Sequence, residues 1–259
     1  MDLGLVGKRA LLCASNAGLG LACAKVLAAE GVAVTINGRN PAKLADARAE
    51  VEAVATAPVG AVAADVTTAE GRKALLAACG DADILLNNNA GPAAKMFLDT
   101  ETEDWDRTLA ANMVAPLMLI HGLLPGMIAR KFGRIVNITS AMVTTPRPHH
   151  TLSAGARAGL TASLKALSLD VAKHNVTINN MLPERFDTHR QHQMAKAAMA
   201  REGLSYEEAR AAQVTSIAAR RMGRPEEFGA AFAFLCSAHA GYISGQNLHL
   251  DGGSYPALI

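Results

Sequence analysis

Leu11-Leu12-Cys13-Ala14-Ser15-Asn16-Ala17-Gly18-Leu19-Gly20 is the stretch that decides how this chain is read. Leu11, Leu12 and Cys13 form a short apolar strand, Ser15 to Gly20 a tight turn, and an apolar-faced helix follows. Leu19, Ala22, Cys23, Val26, Leu27 and Glu30 keep the three-to-four spacing that lays one stripe against a core. Gly31 stops that helix, and Val32-Ala33-Val34-Thr35-Ile36-Asn37 reads as a second, buried strand. Strand, glycine turn, helix and strand within about thirty residues make a βαβ unit of the dinucleotide-binding kind.

The glycines have a local reason. A phosphate at a helix N-terminus needs free backbone N–H groups and close backbone approach, which a Cβ would obstruct. Gly18 and Gly20 meet that need, with Ser15, Asn16 and Leu19 in the same turn. Ala14 stands where such turns usually carry an earlier glycine, and the segment also fits a plain strand-to-helix connection. After the second strand, an NAD site places an acid to hold the ribose 2′-hydroxyl. Here the chain reads Asn37-Gly38-Arg39-Asn40, and arginine matches a 2′-phosphate bidentately, so NADP(H) is expected over NAD(H). A solvated arginine opening the next helix is the alternative.

At 259 residues, half of them hydrophobic, the chain suits one sizeable α/β domain with helices on both faces of a parallel sheet. A net charge of +2 without a Lys/Arg block gives nucleic-acid binding little support. No uninterrupted apolar run reaches the roughly eighteen residues that span a bilayer, and Met1-Asp2-Leu3-Gly4 leads straight towards the first strand. Neither a membrane association nor a signal peptide is expected. The cysteines at 13, 23, 79 and 236 form no CxxC pair and sit in apolar segments, so buried free thiols in a reducing cytoplasm and no metal are expected.

The rest of the chain alternates. Pro41 to Ala57 reads as a helix, Val59 to Ala64 as a strand ending at Asp65, and Thr68 to Ala78 as a helix. Asp83 to Asn87 is a buried strand running into the turn Asn88-Asn89-Ala90-Gly91. Glu103 to Arg130 is a long helix that holds Asn112 and is bent or broken by Pro116 and Pro125. Arg134 to Thr139 is a strand ending at Ser140, Ser153 to His174 a helix, and Val176 to Leu182 a strand. Thr188 to Arg220 reads as a mobile helical lid, Pro225 opens a helix, and Asn247 to Leu250 is a last strand before Asp251-Gly252-Gly253. The expected architecture is a single doubly wound parallel sheet of about seven strands, a Rossmann fold.

Together these features resemble the short-chain dehydrogenase/reductase family over essentially the whole chain. They are Gly18-Leu19-Gly20, Asp65-Val66, Asn88-Asn89-Ala90-Gly91, Asn112, Ser140 after Asn137-Ile138-Thr139, Arg224-Pro225-Glu226-Glu227 and Asp251-Gly252-Gly253. The 3-oxoacyl-acyl-carrier-protein reductase branch is the most similar. The resemblance implies that Asp65, beside Val66, holds the adenine, and that Asn88, Ala90 and Gly91 line the cofactor cleft. It implies further that Asn112 anchors a water relay, Ser140 holds the substrate oxygen, and Thr188, beyond Pro183, touches the nicotinamide carboxamide. It also implies a homotetramer or homodimer, with the helices carrying Asn112 and Ser153 as the interface.

One motif departs. The family carries tyrosine thirteen residues after the serine and lysine four residues later, and here those positions are Ser153 and Arg157. Ala158-Gly159-Leu160 keeps the alignment in place, and a spacing of four puts 153 and 157 on one helix face. A carbonyl that receives hydride needs a proton donor of suitable pKa within reach. Tyrosine starts near about 10 and is lowered by an adjacent ammonium, whereas a serine hydroxyl is far weaker as an acid. Arg157 stays protonated and cannot relay protons, but it can bind ribose hydroxyls or an oxyanion. Glu184, where the family has glycine after Pro183, either turns outward or pairs with Arg185.

His150, with His149 beside it, is the alternative proton donor, against a plain solvent-facing loop pair. His189, His192 and Tyr206 are weaker candidates in the lid, and Trp105 is expected to pack between helices. Three functions follow: an NADP(H)-dependent oxidoreductase on a small carbonyl or alcohol, with rerouted proton delivery; a non-catalytic nucleotide-binding protein or partner subunit; and a lyase or dehydratase on the same scaffold.

Overall fold

Alternating side chains divide the core into two layers, one on each side of a sheet. The computed structural model describes residues 1–258. Its strands are β1 (Arg9–Leu12), β2 (Ala33–Gly38), β3 (Val59–Ala63), β4 (Ile84–Asn87), β5 (Gly133–Ile138), β6 (Val176–Pro183) and β7 (Asn247–Leu250). All pair in parallel, in the order β3-β2-β1-β4-β5-β6-β7. The chain reverses direction across the sheet between β1 and β4, and the crevice outside their carboxyl ends is where ligands of such sheets bind.

The helices are α1 (Gly18–Ala29), α2 (Pro41–Glu52), α3 (Ala69–Cys79), α4 (Thr102–Leu109), α5 (Ala115–Ala129), α6 (Thr151–Val171), α7 (His189–Glu202), α8 (Tyr206–Val214) and α9 (Pro225–Cys236). Leu12 and Leu86 face α1, α2 and α9, where Leu27, Leu44, Phe228 and Phe232 fill the first core layer. Leu11 and Leu85 face the other way, towards Leu75 of α3, Leu123 of α5 and Leu160 of α6. This is the period-two alternation of a strand buried on both sides.

The long helix holds together through both prolines. Pro116 has no N–H, so the Asn112 carbonyl loses its i+4 donor, and a π turn over Ala110–Val114 takes up the mismatch before α5 begins. Pro125 sits inside α5 without ending it. By length and hydropathy the continuous stretch Thr102–Ala129 could cross a bilayer. In the fold its Leu119, Ile120, Leu123 and Met127 are buried against the sheet, the place of a core helix. The segment expected as a lid folds as two helices, α7 and α8, joined by an αL Gly203 and a capping box in which Ser205 and Glu208 bond each other's backbone N–H. All four cysteines are buried and free.

A row of asparagines crosses the sheet. Asn87, Asn137, Asn180 and Asn247 are in register on β4, β5, β6 and β7. Asn87 Nδ2 donates to Asn137 Oδ1 at 2.9 Å, Asn137 Nδ2 to Asn180 Oδ1 at 3.2 Å, and Asn180 Nδ2 to Asn247 Oδ1 at 2.9 Å. The row lies directly beneath the strand ends that carry the site.

Candidate active site

The glycine turn is built to leave backbone donors open. Ala17, the N-cap of α1, makes no side-chain bond to the first turn, so those N–H groups point into the crevice without a cap. Gly20 is packed so closely that an added Cβ would lie 2.6 Å from the Ala14 carbonyl oxygen and 2.9 Å from Asn88 Nδ2. Gly18 has φ +57°, and Leu19 follows it into α1. Ala14 adopts φ +43° without being glycine, a strained conformation held by its N–H to Asn37 Oδ1 at 3.2 Å and by Asn88 Nδ2 donating to its carbonyl at 3.0 Å.

Ser15 takes part as scaffold: its N–H donates to the Asn37 carbonyl, and its hydroxyl donates to Leu12 and accepts from the Asn37 N–H. Asn16 packs against Gly38, where a Cβ would come within 2.8 Å of it. Val66 is buried in the second core layer. Arg39 is exposed and lies 3.7 Å from Asp65. Although partial burial works against it, Asp65 is held below the usual carboxylate range by the Thr67 N–H and hydroxyl and by Arg39.

On the other side of the crevice, Arg157 of α6 is buried without a carboxylate partner among the described residues. Its Nη1 donates to the Ile138 and Thr139 carbonyls at 2.7 and 2.9 Å, and its Nη2 to the Asn89 carbonyl at 3.4 Å. Its Nε is buried with no partner among the described residues. Gly91 borders it, 3.6 Å from Nη2 measured from the position of an added Cβ. Burial and the nearby Arg190 bring the guanidinium down to about 10, so it remains charged at neutral pH.

Asn112, in the π turn, donates to the Ala90 and Thr108 carbonyls at 3.4 Å, and its Oδ1 is a buried acceptor with no protein partner among the described residues. Ser140 Oγ accepts the Met142 N–H at 3.2 Å, which leaves its own proton to give. Ser153, half-buried, lies in the first turn of α6, one helical turn from Arg157. Thr188, the N-cap of α7, lies over the glycine turn, its Cγ2 3.7 Å from where a Gly18 Cβ would be.

Pro183 ends β6, and Glu184 after it turns inward and pairs with Arg185, whose Nε is 3.7 Å from its Oε1; a second and closer partner, Arg147 Nη2, donates to the same oxygen at 2.9 Å. Arg147 carried no motif or periodicity that could have nominated it. Half-buried His150 is held below its ordinary 6.5 by burial, then by His149, Arg147 and Arg190, with Glu184 opposing.

His192 Nδ1 lies 2.5 Å from the Tyr206 hydroxyl and its Nε2 3.2 Å from Asp187, a contact between α7 and α8. The His192–Tyr206 pair thus ties the two helices to each other. His189 is exposed. Trp105 packs on Gly155 of α6, as expected for a helix interface.

Residues 13–255 match the model of the family described as enoyl-(acyl carrier protein) reductase. The chain belongs to the short-chain dehydrogenase/reductase family. It is 32% identical to nodulation protein G of Rhizobium sp. strain N33 over 253 residues, covering 96% of this chain and 97% of that one. It is 31% identical to the 3-oxoacyl-[acyl-carrier-protein] reductase FabG of Vibrio cholerae, covering 98% and 99%. Among solved structures, the L-sorbose reductase of Gluconobacter frateurii complexed with NADPH and L-sorbose superposes with a TM-score of 0.95 at 30% identity, over the whole of both chains. The seven-stranded Rossmann sheet and the oxidoreductase class are those of the family.

Proposed function

We propose that this short-chain oxidoreductase uses NADP(H) on a carbonyl/hydroxyl pair and delivers the proton without a tyrosine. The observation that carries the reading is Arg157, buried at the ends of β4 and β5 in the place of the family's lysine and caged by three backbone carbonyls. A buried guanidinium without a carboxylate is costly unless a ligand completes its bonds.

The residues fit the dinucleotide. Gly18, Gly20 and the uncapped start of α1 would take the pyrophosphate, Arg39 the 2′-phosphate and Asp65 the adenine, with Asn88, Ala90 and Gly91 along the cleft and Thr188 over it. When bound, that cofactor supplies the hydride. Ser140 donates its hydroxyl proton as a hydrogen bond to the substrate oxygen, and Arg157 steadies the charge that grows there. The proton that completes the alcohol comes from imidazolium at His150 under mildly acidic conditions, or from water near Asn112.

Fluorescence titration with NADPH, and with NADH as control, tests the cofactor half, and a screen of ketones and 3-oxoacyl thioesters tests the chemical half. Specific NADPH binding with carbonyl-dependent NADPH oxidation is expected. Binding without turnover, together with activity created by Ser153→Tyr and Arg157→Lys, would transfer the chain to the nucleotide-binding, non-catalytic reading. Exposed Val114, Met118 and Leu169 around α5 and α6 support pairing of copies through these helices, which light scattering on the eluted protein checks.

A further inference from the structure

Glu184 follows directly on Pro183 at the end of β6, where the family has a glycine, and its side chain is only 7% exposed. A carboxylate buried that far is costly unless it is paired. Two arginines pair it, and they are not equivalent. Arg147 Nη2 donates to Oε1 at 2.9 Å. Arg185 Nε stands 3.7 Å from the same oxygen, and its Nη1 is committed to the Gln213 carbonyl of α8 at 2.6 Å. The direct bond is therefore the one to Arg147. Neutralising the two guanidiniums does not call for a buried acid, because both are partly exposed and water can serve them.

What the bond holds is a short turn. Arg147 lies thirty-seven residues before Glu184, on the loop that leads into α6. Its carbonyl accepts the His150 N–H at 2.9 Å, closing a 3₁₀ turn over Pro148–His150. His150 is the N-cap of α6, and its side chain makes no capping bond. On the other flank, the Lys95 N–H donates to the His149 carbonyl at 3.1 Å, and Lys95 Nζ is bonded to buried Asp104 at 2.5 Å. The turn that carries His150 is thus tied twice. The segment after β4 ties it through backbone, and the end of β6 ties it through the Glu184 side chain.

We propose that Glu184, acting through Arg147, is a positioning residue for His150, and that this tie stands in for the support a helix gave the missing tyrosine. This rests on the reductase reading above, with His150 as the proton donor. In that reaction the substrate oxygen takes a proton from the His150 imidazolium as the carbon takes the hydride, and solvent reprotonates the ring. The family's tyrosine position, Ser153 here, lies inside the first turn of α6 and is held by helix backbone. His150 precedes the helix and lacks that support. A misplacement of about 1 Å can cost a reaction roughly a hundredfold, so a tie on this turn has a catalytic consequence without touching the substrate.

The test gives position 184 the family's own residue. Glu184→Gly in the full chain, with ethyl acetoacetate and acetoacetyl-coenzyme A as carbonyl probes at mildly acidic pH, should lower kcat by roughly ten- to a hundredfold. KM and the affinity for NADPH should stay within about twofold of the parent. Glu184→Gln keeps an oxygen for Arg147 and should lose less, while Arg147→Gln should repeat the loss. The deciding comparison is made in a His150→Ala background, where Glu184→Gly should cost no more than about a further twofold, because both changes remove the same contribution. A second arm needs no turnover. Amide hydrogen exchange across residues 147–151 should quicken by roughly tenfold in Glu184→Gly, while the amides of β5 keep their protection and show the fold intact. A Glu184→Gly variant as fast as the parent overturns the proposal, as does an equal loss with and without His150, or unchanged exchange in the turn. If NADPH affinity falls while kcat holds, Glu184 serves the cofactor and the assignment is lost. Failure of the reductase reading shows separately, as a parent that oxidises no NADPH with either compound.

Discussion

Asn87 Nδ2 donates to Asn137 Oδ1 at 2.9 Å across β4 and β5, fifty residues apart in the chain, with both side chains buried. Through Asn180 the row extends to β6, so the three strands that end in Asn88, Ser140 and Glu184 are tied by side chains as well as by backbone. Asn137→Ala leaves the Asn87 amide and the Asn180 carbonyl oxygen buried and unpaired. Urea unfolding should show a loss of about 2–6 kcal/mol, from two unsatisfied groups of roughly 1–3 kcal/mol each. Asn247→Ala, at the exposed end of the row, should cost less than about 1 kcal/mol.

Ala14 is held at φ +43°, where a Cβ is strained. Ala14→Gly should therefore stabilise the protein by roughly 1 kcal/mol, raising Tm by about 2–4 °C in a thermal melt. Gly20→Ala should do the opposite, because its Cβ would meet the Ala14 carbonyl and Asn88, and the NADPH titration should lose its signal.

Arg39 rests beside Asp65 with its side chain largely in solvent, free to swing onto a phosphate. Arg39→Ala should weaken NADPH by roughly ten- to a hundredfold, the worth of a charged hydrogen bond or two, and leave NADH within about twofold. Equal loss for both cofactors would remove the assignment of the 2′-phosphate to this residue.

The pH profile tests His150. Burial and its cationic neighbours lower its pKa from 6.5, so imidazolium, the acid form, exists only below that value. If His150 supplies the proton, kcat/KM for reduction falls as pH rises through a point below 6.5, and His150→Ala removes that limb. A profile flat across this range in both proteins would assign the proton to water.

Thiol chemistry offers a check on the core. Burial raises Cys13 to about 12, and the other three thiols are raised as well, so no thiolate is exposed near neutrality. Ellman's reagent should titrate no thiol in the native protein at pH 8 and all four in urea.

How much of this was legible in the chain can be seen from particular residues. Leu11 and Leu12 alternate between two core layers, and Pro225 opens α9, because periodicity and helix-end chemistry are written locally. Element ends were less legible. Pro41 begins a helix that stops at Glu52 rather than Ala57, and the prolines expected to bend or break the long helix are absorbed by a π turn and by continuation. The side-chain partners Asn180 and Arg147 had no local mark at all.

The sequence by itself determined the order of strands and helices, the dinucleotide-type turn at Gly18 and Gly20, and the replacement of tyrosine and lysine by Ser153 and Arg157. Each is a matter of residue type and spacing within one or two elements. Only the tertiary structure decided that Arg157 is caged by the Ile138, Thr139 and Asn89 carbonyls, that Arg147 joins Arg185 on Glu184, and that four asparagines form one row. Those contacts join residues far apart in the chain. Their partners are selected by strand order and register, and hydrogen bonds formed across a folded sheet leave no periodic trace in the segments that supply them.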